Sequence, residues 1–255
     1  MESKRQIDTV DPFSGLRVVV TGGTSGLGLA FVKELVARGA RVAFVARGRE
    51  AVERLARAYP GTHGIVGDIS QKGDIYPIAM QVTGELGGLD VLINNASDLG
   101  PTPLALLGDT DCEDLERAMA TNLIGPFRLT KALLGALAAS AREGRGAVVL
   151  NISSDAAINA YPGWGAYGTS KAALQQLSRI WDAELASEGV RFISLDPGDM
   201  DTPLHALAVP DADPATLKRP EDAARELAEA IAGALPNSGL PGVLQMADES
   251  RSELR

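Results

Sequence analysis

The chain predicts an α/β fold of the doubly wound kind, a parallel sheet of about seven strands with helices on both faces. Three observations carry that expectation. Short apolar runs of strand length alternate with stretches of helical period along most of the 255 residues. A glycine-rich turn follows the first apolar run directly. No internal repeat, low-complexity linker or composition break divides the chain, so one domain is expected over residues 15–248, between a loose leader (1–14) and a tail (249–255).

The elements follow in order. LRVVVT (16–21) reads as a buried strand ended by GGTSGLG. Leu29, Val32, Leu35 and Val36 then recur at helical spacing until Gly39 stops the helix. RVAFVA (41–46) is a second strand, and REAVERLARAY a second helix. GTHGIVGDIS holds a third strand running to Asp68, with a helix through the 70s and 80s after it. LDVLINNA (89–96) is the fourth strand, and a Pro/Gly/Asp-rich loop leads to a long helical region ending near Ala141. GAVVLNIS is the fifth strand, the segment around Tyr167 a helix to Glu188, and VRFISL the sixth strand. The proline-rich stretch 197–220 has no period and reads as a long loop. A helix from Glu221 to Ala234 and a short seventh strand, GVLQM, close the domain.

Composition excludes several function classes. A net charge of −9 without a local basic patch argues against a nucleic-acid surface. The single cysteine, Cys112, forms no intramolecular disulfide and fits a reducing compartment. The polar first residues are unlike a signal peptide, and no apolar run approaches the ~20 residues of a membrane span. A cytoplasmic protein with no membrane partner is the expectation. No His, Cys or carboxylate cluster has metal-ligand spacing, and Ser154 lacks the surroundings of a hydrolase elbow.

The chemistry gathers in NISSDAAINAYPGWGAYGTSKAA (151–173). Tyr167 and Lys171 are four residues apart, one helical turn on one face. An ammonium beside a phenol favours the phenolate, which is expected to lower the Tyr167 pKa toward the range useful for proton transfer. Ser154 ends a strand that returns to the same point. Together they could polarise a carbonyl and hand it a proton; a Tyr-x-x-x-Lys pair by itself is common and carries little. Upstream, TGGTSGLG lies between strand and helix, where glycines allow close backbone approach and the helix N-terminus offers free N–H groups to a diphosphate. An ordinary glycine-rich turn is the alternative.

These motifs, in this order, resemble the short-chain dehydrogenase/reductase family in its single-domain form, over roughly Leu16 to Met246. Asn94-Asn95-Ala96 resembles the family's Asn-Asn-Ala-Gly, with Ser97 in place of glycine. Asn122 in TNLIGPF stands where the family carries a catalytic asparagine, and Ser154 precedes Tyr167 by the usual thirteen positions. Asp196-Pro197-Gly198 and Thr202 resemble the segment after the sixth strand that touches the nicotinamide half. The resemblance implies a Rossmann-type dinucleotide fold and a catalytic set of Asn122, Ser154, Tyr167 and Lys171. Hydride would pass between nicotinamide and a carbonyl or secondary alcohol, with Tyr167 moving the proton. Lys171 would hold the nicotinamide ribose, and Asn122 a relay water; taken alone, Asn122 reads rather as a helix-terminal or kink-satisfying amide.

The implied cofactor residues are Gly22, Thr24, Ser25, Gly26, Leu27, Gly28, Arg47, Asp68, Ile69, Asn95, Ala96, Ser97, Tyr167, Lys171, Pro197, Gly198, Met200 and Thr202. Ala46 and Arg47 stand where NAD-preferring members carry a carboxylate. A guanidinium there suits a 2′-phosphate, so NADP(H) is favoured over NAD(H). Asp68 is either an adenine contact or a helix cap. Asp98, Leu99, Asn159, Tyr161, Trp164, Met200, Leu204 and His205 are expected to flank a mixed pocket for a small carbonyl or alcohol, with Tyr161 and Trp164 equally readable as packing. His205 and His63 read as non-catalytic. The C-terminal LPGVLQMADES lacks the Asp-Gly-Gly tied to the family's tetramer interface, which leaves a homodimer through the helices after Asp111 and around Tyr167. A dinucleotide-binding regulator, or a lyase or epimerase that retains NAD, are the competing readings on the same fold.

Overall fold

The computed structural model describes residues 11–236. Six strands run β1 (Arg17–Thr21), β2 (Arg41–Ala46), β3 (His63–Val66), β4 (Val91–Asn94), β5 (Ala147–Ile152) and β6 (Val190–Leu195). All pair in parallel, in the spatial order β3-β2-β1-β4-β5-β6. Six strands stand where about seven were expected; the seventh, GVLQM, lies outside the described residues. The order reverses between β1 and β4, and a crevice opens there at the strands' C-terminal ends.

The strands are Val- and Ile-rich because both faces are covered. Val18 and Val20 of β1 face one layer and Val19 the other, as the two-residue period demands. The first layer holds α1 (Gly26–Ala37), α2 (Arg49–Ala58) and α8 (Pro220–Ala234), packed through Phe31, Leu35, Leu227 and Ile231. The second holds α3 (Lys72–Leu86) and α5 (Gly125–Arg142), through Ile78, Val82, Leu129 and Leu133. α6 (Gly165–Leu185) lies against β6 on this second side and contributes Trp181.

Three expectations need correction. Residues 11–14 are no loose leader: Phe13 is fully buried in the first layer, with the Arg38 guanidinium 4.6 Å from its ring centroid and Asp11 paired to Arg38 at 2.9 Å. The helical region after Asp111 is divided into α4 (Cys112–Met119), one π turn (Ala120–Ile124) and α5. The stretch 197–220 is not a plain loop, since it holds α7 (Pro203–Ala208) and a 3₁₀ turn at Pro214–Thr216. Prolines that read as breakers sit here in the first helical turn, where a missing N–H costs nothing.

A file of buried polar groups joins β4, β5 and α6. Asn94 and Asn151 are register partners, and Asn94 Nδ2 donates to Asn151 Oδ1 at 2.8 Å. Asn151 Nδ2 then donates to Ser178 Oγ on α6, also at 2.8 Å.

Candidate active site

The parallel register brings Thr21, Val45, Asn94, Ile152 and Leu195 to one edge of the sheet, so the residues after them share a cavity. It measures about 940 Å³ and extends from Gly22 and Arg47 at one end to Tyr167, Trp164 and α7 at the other. That is the upper range for a small-molecule site and suits an elongated ligand.

The glycine turn builds the first end. Gly22 has φ +70°, and a Cβ there would come within 3.0 Å of Ala96 Cα and the Asn95 amide. Gly28 packs more tightly still, for its Cβ would overlap the Gly22 carbonyl oxygen. Asn95 holds the turn in place: its Nδ2 donates to the Thr21 carbonyl at 2.9 Å, while its backbone N–H donates to Thr21 Oγ1 at 3.0 Å. Ser25 starts α1 in extended conformation without a side-chain capping bond, so no hydroxyl occupies the helix's first N–H groups. Backbone donors, a cradle that admits no Cβ and a macrodipole end fit a diphosphate. Arg47 is exposed at the rim and has no ion pair among the described residues. Asp68 lines the cavity, yet one of its oxygens already accepts from Ser70 N at 2.9 Å and Ser70 Oγ at 2.7 Å. That is a turn ahead of α3 and not a helix cap, since the N-cap of α3 is Gln71 and has no side-chain capping bond.

The other end is built on α6 and the β5 terminus. Lys171 is 1% exposed; its Nζ donates to the Ile152 carbonyl at 2.8 Å and lies 5.4 Å from the Tyr167 ring centroid. Burial pushes its ammonium down to about 8, and Asp196 opposes the shift. Tyr167 is pushed up to about 12, chiefly by burial, with Ser97 and Ser154 pulling down and Asp196 and Asp155 pushing further up. The expected lowering of the phenol by Lys171 is therefore overturned for the protein alone, because desolvation dominates the site. Ser154 Oγ accepts from Ala156 N at 3.2 Å and donates to Asp155 Oδ1 at 3.1 Å. Trp164 meets Tyr167 edge-on with centroids 5.7 Å apart, and Tyr161 donates to Asp155 Oδ2 at 2.7 Å. Both aromatic residues line the cavity.

Asn122 is buried in the π turn and does not line the cavity. Its amide is spent: Nδ2 donates to the Asp98 carbonyl at 2.7 Å and Ser170 Oγ at 2.8 Å, while Oδ1 accepts from Asp98 N at 2.8 Å and Ser97 Oγ at 3.3 Å. Ser170 Oγ donates in turn to the Tyr167 carbonyl at 2.7 Å. The side chain is a strut between the loop after β4 and α6. Of the expected cofactor residues, Gly28 alone lies behind the wall of the cavity; of the expected pocket residues, Asn159 is exposed and outside it. Thr202 lies across the cleft from Gly26, and its Oγ1 caps α7 by accepting from His205 N at 3.2 Å.

Sequence reasoning missed two groups and one role. Ser97, expected only as a cofactor residue, also donates to Asn122 Oδ1 and pulls the Tyr167 phenol down. Asp155 accepts hydrogen bonds from the Ser154 and Tyr161 hydroxyls. Ser170 ties Asn122 to the backbone of α6. The position of Ser170 three residues after Tyr167, on the same helical face, was a signal available for it. Among the described residues no group of side chains could hold a metal ion, no helix is long and apolar enough to cross a membrane, and Cys112 is free and exposed.

Comparison with known proteins gives a consistent result. Residues 17–213 match the family model described as short chain dehydrogenase. The chain is 34% identical over 191 residues to 2-(R)-hydroxypropyl-CoM dehydrogenase of Xanthobacter autotrophicus, covering 73% of this chain and 75% of that one. It is 31% identical over 206 residues to L-fucose dehydrogenase of Mus musculus, covering 80% and 73% respectively. Among solved structures, the 3-ketoacyl-(acyl-carrier-protein) reductase of Brucella melitensis complexed with NADH superposes with a TM-score of 0.81 at 26% identity, over 90% of this chain and 95% of that one.

Proposed function

This chain belongs to the short-chain dehydrogenase family and is an NAD(P)-dependent oxidoreductase; from that premise we propose that it uses NADP(H) to interconvert a carbonyl and a secondary alcohol, with Tyr167 as proton donor and acceptor. The observation that carries this reading is the continuity of one cavity from Arg47 and the α1 N-terminus to Tyr167. The bound cofactor supplies or takes the hydride. Everything else falls to the chain's own side chains.

Tyr167, held as a neutral phenol by burial, has a proton to give to an oxygen that develops negative charge. Ser154 hydrogen-bonds the same oxygen, exchanging its present Asp155 acceptor for it. Lys171 spends one of three donors on the Ile152 carbonyl and keeps two for the ribose hydroxyls. Asn122 acts through its backbone, since its amide is committed. Pro126, four residues on, has no N–H to offer the Asn122 carbonyl, which leaves that oxygen without its ordinary α-helical donor and suited to hold a relay water. Relatives named dehydrogenase and reductase support both directions of the reaction. Cytoplasmic placement and a homodimer through α4, α5 and α6 belong to the same proposal; exposed Leu115 and Ile180 on two of those helices support an apolar contact.

The test is titration of NADPH and NADH into the wild type and Arg47→Ala. Tighter NADPH binding, lost by about tenfold or more in the variant while NADH is unaffected, is the expected result for one charge-assisted contact. Equal binding of both cofactors overturns the NADP assignment. Binding of neither overturns the enzyme reading.

A further inference from the structure

The charges of the cavity are mostly negative. Arg47 and Asp68 stand at the end formed by β2 and β3, while Asp98, Asp155, Asp196, Asp199 and Asp213 line the rest of the wall, Asp155 and Asp196 close enough to act on the Tyr167 phenol. Among the described residues the wall carries no arginine or lysine besides Arg47 and Lys171, and Lys171 is 1% exposed with its Nζ on the Ile152 carbonyl. His205 is the one imidazole, with its Nε2 3.7 Å from Asp199.

The carboxylates differ in how far they are neutralised. Asp98 is paired with Arg117 at 3.3 Å, and one oxygen of Asp213 caps Ala215 N at 2.9 Å. Asp155 and Asp196 have no cationic partner among the described residues. Asp155 accepts one hydrogen bond on each oxygen, from Ser154 and Tyr161, and Asp196 accepts one from Gly198 N at 2.9 Å. A carboxylate offers about four lone-pair sites, so both keep acceptors to spare. A second, independent observation lies beside them: Ser153 lines the same cavity, is 4% exposed, and its Oγ has no hydrogen-bond partner. A buried hydroxyl without a partner is costly unless a ligand completes it.

We infer that this end of the cavity selects a substrate bearing hydrogen-bond donors, hydroxyl or ammonium, next to the reacting carbon, and rejects carboxylate, phosphate and sulfonate substrates. The inference rests on the oxidoreductase reading and names its substrate class. A low-dielectric cleft lined mostly by one sign of charge focuses its field, so an anion placed beside Ser154 meets Asp155 and Asp196, with the buried Lys171 ammonium, turned to the Ile152 carbonyl, as the one cation of the chain near them. A hydroxyl or ammonium in the same place donates to them instead, which is the stronger, charge-assisted kind of hydrogen bond. Discrimination here works through repulsion of the wrong ligand as much as attraction of the right one.

The experiment is calorimetric binding to the wild-type protein saturated with NADP⁺, using three probes of matched size: 1-amino-2-propanol, 1,2-propanediol and lactate. The amine and the diol are expected to bind, and lactate at least about tenfold more weakly than the diol. That gap should narrow in Asp196→Asn and Asp155→Asn, each titrated with NADP⁺ first and compared at cofactor saturation, and at high salt. Lactate binding as well as the diol, or a gap unchanged in both variants, overturns the inference. So does failure of all three probes while NADP⁺ binds, and that outcome leaves the oxidoreductase reading standing. Failure of NADP⁺ itself to bind sinks that reading and this inference with it.

Discussion

Tyr167 enters the cavity as a phenol whose proton is hard to remove, and this sets the pH behaviour of the reaction. Because its pKa is pushed up to about 12, the acid form predominates from pH 6 to 9. Carbonyl reduction, which uses that form, is expected to be flat up to about pH 7 and to decline toward pH 9 as Lys171, pushed down to about 8, loses the charge with which it holds the ribose. Alcohol oxidation needs the phenolate, whose fraction rises about tenfold per pH unit below the pKa, so its kcat/KM should climb steeply from pH 7 to 10. Steady-state rates in both directions check this, and an oxidation rate that ignores pH would assign the base elsewhere. Tyr167→Phe should cost both directions about a thousandfold or more while leaving NADPH binding intact. The Ser154, Tyr167 and Lys171 set was legible in the sequence because helical periodicity fixes two of its members relative to each other. The role of Ser97 beside the phenol, and Asp155 altogether, were not, since they arise from where the loops after β4 and β5 come to rest. The sign of the Tyr167 shift was also out of reach. It depends on how completely the segment is buried, which spacing does not report.

Among the elements, the turn into α1 tolerates least. Gly28→Ala would drive a methyl into the Gly22 carbonyl oxygen, so the turn must open and the α1 N-terminus move off the cleft. Dinucleotide affinity is expected to fall by more than tenfold, and thermal stability with it. Gly135→Ala in the middle of α5, with nothing within 4 Å of the new methyl, is the matched control and should stabilise the fold by about 0.5–1 kcal/mol. Differential scanning calorimetry with an NADPH titration separates the two outcomes. The strands and long helices were readable because each keeps one period over several residues. The π turn at Asn122 and the helix α7 were not. The first interrupts its period for a single turn, and the second hides among prolines that usually end helices.

At the scale of the whole molecule, the edge of the sheet opposite the cavity is closed by a buried carboxylate. Asp90 is fully buried and accepts from Arg17 at 2.6 Å, from Arg145 at 3.0 Å and from Ser140. Burial pushes its carboxyl up, but these three partners outweigh it and hold the group well below the usual carboxylate range. A depressed pKa means stability present above the unfolded value near ~3.9 and lost as pH falls below it. Asp90→Ala strands two guanidinium groups and is expected to cost about 3–5 kcal/mol by urea denaturation. The folded fraction should bind NADPH as the wild type does, because β1 and β4 separate the cluster from the cavity. A doubly wound parallel sheet followed from the alternation of periods, though its strand order did not; the Asp90 cluster joins β1, the start of β4 and the end of α5, and no local pattern foretells it. The file from Asn94 through Asn151 to Ser178 has a consequence of its own. It works as the key in a keyed shaft, fixing the rotational phase of α6 against the sheet. Slipping α6 by one residue would turn it about 100°, unseat three buried polar groups and swing Tyr167 away from Ser154. Misalignment and loss of the native state are thus a single event, so a preparation of this enzyme should divide into fully competent and unfolded molecules, with no population of poorly aligned ones between.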